Sequence, residues 1–315
     1  MNSEVAEQVT RLVDNIEKVI FGKREVIKLC VTGLLARGHI LIEDVPGIGK
    51  TTLAQALARS IDCSFSRIQF TSDMLPSDIL GVSVLNPKTT EFEFRRGPVF
   101  SSIVLADEVN RTPPKTQSAL LEAMGEYQVS VDGVTHPTPR PFMVLATQNP
   151  IEYDGTYPLP ESQLDRFMLR VEMGYPPDED ELRIMRRHDP LKALQELKPV
   201  LSADDVVALQ EHVGRIRVEQ SVAGYMLAII QGTRNHEHVQ LGASPRASLS
   251  LYEVCQARAL VEGRDYVTPG DAKLMAVPAL SHRVLVKSRS ADLVSAARER
   301  ARLIAEIIKS VPVPV

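Results

Sequence analysis

Two short stretches carry side chains at spacings that suit triphosphate chemistry. The first, HILIEDVPGIGKTT over residues 39–52, runs from an apolar segment (Ile40, Leu41, Ile42) into a turn holding Gly47 and Gly49, then into LAQALARS, a strong helix former. Strand, glycine-bearing turn and helix start make the context in which a phosphate-binding loop works. The glycines let successive N–H groups point inward, and the free N–H groups of the helix start complete a concave anion site. Pro46, Ile48 and Thr52 belong to the same nucleotide-binding turn. Lys50 would reach the β- and γ-phosphates as a point charge, and the Thr51 hydroxyl would ligate Mg2+. One position departs from the spacing G-x-x-x-x-G-K-[ST]: Asp44 stands where the first glycine belongs. The later residues build the nest, so the stretch reads as a variant loop.

The second stretch, IVLADE over residues 103–108, is a buried-type strand ending in two carboxylates. Neighbouring strand residues point to opposite sides, so Asp107 and Glu108 should differ in task. Asp107 suits the Mg2+ shell, and Glu108 suits the general base that orients and deprotonates the attacking water. A further strand ends LATQNP, where Asn149 could hydrogen-bond the γ-phosphate or that water, although Asn-Pro also opens turns. Arg166 and Arg246 are weighed because phosphoryl transfer needs positive charge near the γ-phosphate, in some machines supplied by another subunit. An arginine is most often a solvated surface residue, and composition gives neither one a role.

These groups need a scaffold. Apolar residues at helical spacing from Val5 to Val19 predict an amphipathic first helix, and a second follows over 24–36. Apolar runs over 65–70, 102–106, 142–147 and 167–173 predict strands, alternating with helices as in a parallel α/β sheet. Ligands of such sheets sit at the carboxyl ends of the strands, where the polar residues above cluster. Residues 81–94 read as a small hairpin or protruding loop. The Asp132-Gly133 pair between alternating residues marks a sharper hairpin. After Pro176 the pattern turns helical, over 180–188, 202–215, 222–233, 245–262, 269–280 and 290–310. Ser202 and Thr268 each precede an acid by three residues, a capping-box signal, and Ser244-Pro245 places a cap before proline. The expected organisation is an α/β core over 1–175 and an all-helical lid over 176–315.

A chain of 315 residues suits two domains. Its formal charge of −4 gives no support to a nucleic-acid footprint, which is normally basic. Cys30, Cys63 and Cys255 lie too far apart for a metal pair or a disulfide framework. The start of the chain is polar and amphipathic, unlike a signal peptide, and no apolar run approaches membrane-spanning length. A cytoplasmic protein without a membrane span is the expectation.

Taken together, EDVPGIGKTTLAQALA, LADEVNRTPPKTQSALLEAMGEYQVSVDG, MVLATQNPIEYDGTYPLPESQLDRFMLRV and GASPRASLSLYEVCQARAL resemble the MoxR family of AAA+ ATPases over nearly the whole chain. The acid at Asp44 is similar to the family pattern. The resemblance implies an AAA+ P-loop core with a five-stranded parallel sheet, followed by a helical lid. Lys50 and Thr51 match its Walker A positions, and Asp107 and Glu108 its Walker B positions. Asn149 matches sensor one. Arg246 matches the sensor-two arginine, coupling the γ-phosphate to lid position, and Arg166 the arginine finger acting on a neighbour's ATP. Ile20, Phe21 and Gly22 would line the adenine pocket, and both hairpins would project towards a ring centre. The implied activity is ATP hydrolysis with Mg2+ in a homo-oligomeric ring of six subunits. The implied output is remodelling or maturation of an unidentified protein client, such as cofactor or metal insertion, with a partner carrying a von Willebrand factor A (VWA) domain. The rival readings are a magnesium-chelatase-like subunit, a nucleic-acid-dependent AAA+ motor, and a nucleotide-gated scaffold with little hydrolysis.

Overall fold

The computed structural model describes residues 3–149, 155–186, 190–287 and 293–314. Helix α1 (Ser3–Glu17) buries Val9, Leu12, Val13 and Ile16, the one-faced stripe its spacing predicts, and α2 (Arg24–Leu35) packs beside it. Strand β1 (Ile40–Glu43) leads through the glycine turn into α3 (Lys50–Ser60). Strand β2 (Phe65–Gln69), helix α4 (Pro76–Leu80) and a hairpin of β3 (Gly81–Leu85) and β4 (Phe92–Arg96) follow. Next come β5 (Ile103–Asp107), α5 (Pro114–Glu126) and a second hairpin of β6 (Gln128–Val131) and β7 (Val134–Pro137). Strand β8 (Met143–Gln148), the short α6 (Glu161–Leu164) and β9 (Leu169–Val171) complete this half.

Five of these strands make one parallel sheet in the order β2-β5-β8-β1-β9. Their side chains sort by period two. Ile40, Ile42, Ile103, Leu105, Met143 and Leu145 face the side of α1, α2 and α3, whereas Leu41, Val104, Ala106, Val144 and Ala146 face α4 and α5. Burial on both faces is what a parallel sheet covered by helices requires. Register then sets the site: Gln69 pairs with Asp107 and Glu43 with Gln148, so their carboxyl ends meet beside the glycine turn.

The C-terminal half holds α7 (Asp178–Arg186), α8 (Pro190–Gln195), α9 (Ala203–Val213) and α10 (Gln220–Asn235). Then follow β10 (Val239–Leu241), α11 (Pro245–Val261), α12 (Pro269–Leu280), β11 (Leu285–Val286) and α13 (Leu293–Ser310). Both predicted capping boxes form, and Ser244 caps α11 by accepting from the Ala247 N–H. The apolar core on the α1–α3 side of the sheet continues without a break into α9–α13.

Three details depart from the sequence expectation. The C-terminal half is helical but carries a two-stranded antiparallel ribbon, β10–β11, whose strands are too short to show alternation. Helix α5 is absent from the elements the apolar pattern predicts, although Pro113-Pro114 and the buried Leu120, Leu121 and Met124 mark its start and inner face. Strand β9 is shorter than 167–173. The helices expected over 180–188 and 290–310 fall partly on residues 187–188 and 290–292, outside the described residues.

Candidate nucleotide site

The turn after β1 is shaped by its backbone. Gly47 and Gly49 have φ of +84° and +95°, a region that favours glycine, and nothing lies within 4 Å of where a Cβ would stand on either. That open space is the cradle an anion needs. Gly49 is the left-handed N-cap of α3 and has no side chain to cap it, so the helix start offers its first N–H groups to the cradle. Asp44 now has a structural reason. One carboxylate oxygen accepts from the Val45 N–H at 2.9 Å and the other from the Gly174 N–H at 2.6 Å, pinning the start of the turn to the chain beyond β9.

Lys50 donates to the Asp44 carbonyl at 2.7 Å. Burial draws its ammonium below the ordinary pKa, and the carboxylates of Asp44, Asp107 and Glu108 pull it back up. Asp107 accepts from the Thr147 hydroxyl at 2.6 Å and from Arg67 at 2.6 Å. The same Thr147 oxygen accepts the Glu108 N–H at 2.9 Å. Glu108 lies one residue past β5 at φ +59°, so strand alternation does not apply to it. Both carboxylates face one cleft, a correction to the expectation of opposite sides. Gln69 donates to the Glu108 carboxylate at 2.8 Å, and Arg111 pairs with it at 3.0 Å.

The cleft joins Lys50, Thr51, Asp107, Glu108 and the buried Asn149, as expected, and adds Arg67 and Gln69. It shares Pro46, Gly47, Gly49 and Thr52 with a cavity of about 410 Å³ whose walls include Ile20, Phe21, Ile48, Met173, Tyr175 and Ile184. A mostly apolar cavity beside a phosphate cradle suits a purine. Gly22 is the exception: it turns towards Pro177 and Asp180 and does not line this cavity. The Thr51 hydroxyl and the Asp107 carboxylate are the hard oxygen donors Mg2+ takes alongside phosphate oxygens, so the donor set fits that ion.

Arg166 and Arg246 are elsewhere. They line a separate cavity with Arg37, Gly38 and His39, at the amino end of β1, whereas the glycine turn follows its carboxyl end. A strand of this length spans roughly 13 Å. Arg246 therefore does not reach its own chain's phosphate cradle, which corrects the expectation that it couples lid to γ-phosphate there. The Arg166 guanidinium donates to the Leu121 carbonyl at 2.6 Å and rests over Gly125, where a Cβ would stand 2.4 Å from Nη1.

Arg67, Gln69, Thr147 and Gly125 carry no local motif. For Arg67 and Gln69 the only sequence signal is their alternation on β2.

The family model "ATPase family associated with various cellular activities (AAA)" matches residues 39–169, and "AAA lid domain" matches 231–309. An uncharacterised protein of Bacillus subtilis, YeaC, is 48% identical over 97% of this chain and 94% of its own. Chaperone MoxR1 of Mycobacterium tuberculosis is 41% identical over 90% of this chain and 78% of its own. A solved structure from Cytophaga hutchinsonii, described as a candidate ATPase, superposes with a TM-score of 0.89 at 37% identity, covering 99% of this chain and 96% of that one.

Proposed function

The chain belongs to the MoxR family of AAA+ ATPases, and from that premise we propose that it cuts ATP at a site completed by a second copy of itself. The observation that carries this reading is the separation of charges within one chain. Lys50, Asp107 and Glu108 line one cleft, and Arg166 and Arg246 line another at the far end of β1. Phosphoryl transfer needs cationic charge at the γ-phosphate, and an arginine finger supplied by a neighbour is one way to bring it. Repeating the same contact head to tail closes a ring, and six subunits is the family-based number.

In this reading the glycine turn, the N-terminus of α3 and Lys50 bind the phosphates. The apolar cavity at Ile20, Phe21 and Ile48 takes the adenine. Thr51 and Asp107 would hold Mg2+, which when bound neutralises charge on the phosphate oxygens. Glu108 orients and deprotonates the attacking water once Gln69 and Arg111 release its carboxylate, and Asn149 positions that water. Arg166 and Arg246 of the neighbour meet the charge that develops.

The output is remodelling or maturation of a protein client, cofactor or metal insertion included, with a VWA-domain protein as partner. The two hairpins are the proposed gripping elements. The Ser83 hydroxyl donates to Asp132 at 2.5 Å and the Phe94 and His136 rings stack at 4.3 Å, so the hairpins are joined, and Val82, Leu85, Phe92 and Val134 stay exposed on them.

Mixing subunits tests the shared site. Arg166→Ala and Lys50→Ala proteins should each be inactive alone and regain turnover together, because a mixed ring contains sites with an intact cradle and an intact finger. A confirmed mixed assembly without turnover would refute the shared site.

A further inference from the structure

Asp165, the residue before Arg166, is held by groups from the C-terminal half of the chain. The Ser244 hydroxyl donates to its Oδ2 at 3.2 Å while accepting the Ala247 N–H at 3.2 Å. Ser244 is the N-cap of α11, and Arg246 sits in the first turn of that helix. From the end of α12, Arg283 Nε stands 3.3 Å from Asp165 Oδ1, and Arg283 Nη2 donates to the Phe167 carbonyl at 2.7 Å. His282 Nε2 reaches the same carbonyl at 2.8 Å. The residues flanking Arg166 on both sides are thus tied to the lid.

Burial makes the arrangement stiff. The Arg283 side chain is 2% exposed, and Asp165 Oδ1 is its ion-pair partner among the described residues, a contact made by charge and not by a hydrogen bond to Nε. A guanidinium buried this deeply is tolerable only beside a counter-charge, and removing one member leaves the other uncompensated. Burial lowers Arg283 to about 10, with Asp165 opposing that fall. Arg166 itself is anchored differently: its backbone sits inside the clamp, and its guanidinium rests on the Leu121 carbonyl. The backbone is fixed, and among the described residues the head group is held by an exchangeable bond to the Leu121 carbonyl.

We propose that Asp165 and Arg283 are positioning residues. Through the Arg283–Asp165–Ser244 clamp, Arg166 of the core and Arg246 of the lid are presented to the neighbouring copy as one rigid face. Any lid movement then carries the finger with it, so the state of one subunit's lid sets the completeness of the next subunit's site. The clamp rests on the shared-site reading above.

Asp165→Asn keeps the shape and removes the charge. Its assemblies should bind ATP through their own Lys50 cradle with unchanged KM, while kcat falls roughly a hundredfold, the cost of misplacing a reacting group by about an ångström. Mixed with Lys50→Ala subunits it should regain turnover, and mixed with Arg166→Ala subunits it should not, because the fault lies on the finger-bearing face. Should Asp165→Asn fail to fold, Ser244→Ala leaves the buried ion pair in place and should give the same rescue pattern with a smaller kcat loss. Parent-like turnover of folded Asp165→Asn, or a defect that Lys50→Ala subunits do not rescue, overturns the clamp. The control is Arg166→Ala mixed with Lys50→Ala: rescue there alongside a clamp failure removes the clamp alone, and no rescue there removes the shared site and the clamp with it.

Discussion

Lys50 donates to the Asp44 carbonyl, so on the proposed reading it exchanges that partner for phosphate oxygens when ATP enters. Lys50→Ala should weaken ATP binding by about 2–3 kcal/mol, roughly a hundredfold, since bonds to charged groups are worth that much; titration with labelled ATP checks it. Glu108→Gln should leave that titration unchanged and slow hydrolysis by roughly 10²–10⁴, the usual worth of a general base. Turnover at the parent rate would remove Glu108 from the chemistry. Local motifs made Lys50, Thr51, Asp107 and Glu108 legible, because loop, strand and helix are contiguous in sequence. Arg67, Gln69 and Thr147 reach the same carboxylates across neighbouring strands, and only sheet register brings them there.

His39 gives a pH test at the same scale. Burial lowers it to about 4, against a smaller upward pull from the Met124 carbonyl. Its Nδ1 accepts the Val144 N–H at 2.9 Å and its Nε2 reaches the Met124 carbonyl at 3.1 Å, so the neutral ring staples β1 to β8 and α5. The unfolded chain takes up the proton near pH 6.5 and the folded chain does not until about pH 4. Stability is therefore complete above pH 6.5 and falls as pH drops through that window, by about 3 kcal/mol for this group. A His39→Gln protein should show a flatter fall of Tm between pH 6.5 and 4. An identical acid slope would contradict the assignment.

Elements with strong local chemistry announce themselves, and elements made by packing do not. The capping boxes at Ser202 and Thr268 form as their spacing demands, and Thr268→Ala should cost about 1 kcal/mol, read as a lower midpoint in denaturant with unchanged slope. The Asp132-Gly133 turn is likewise where the hairpin signal puts it, with both residues at positive φ. The β10–β11 ribbon pairs residues more than forty positions apart in strands of two and three residues, leaving no local trace. At α5, Gly125 leaves room for the Arg166 guanidinium. Gly125→Ala should displace that head group and lower kcat while leaving helix content and ATP affinity intact.

At the scale of the whole molecule, the sequence pattern places a sheet, a phosphate turn and a helical lid in order, and the fold agrees. It does not place the lid against the sheet. That packing follows from apolar faces of α9–α13 meeting α1–α3, and it carries Arg246 to the amino end of β1, away from its own cradle. On the proposed reading, a molecule divided this way carries half a site on each of two faces. Among the described residues no helix is long and apolar enough to cross a membrane.

Turnover per subunit measured against subunit concentration, with sedimentation on the same samples, tests that division most directly. The account predicts that hydrolysis is nearly silent in the monomer and rises steeply where assembly begins, while ATP binding is present throughout. Turnover per subunit that stays constant from monomer to assembly would mean that one chain holds a complete site.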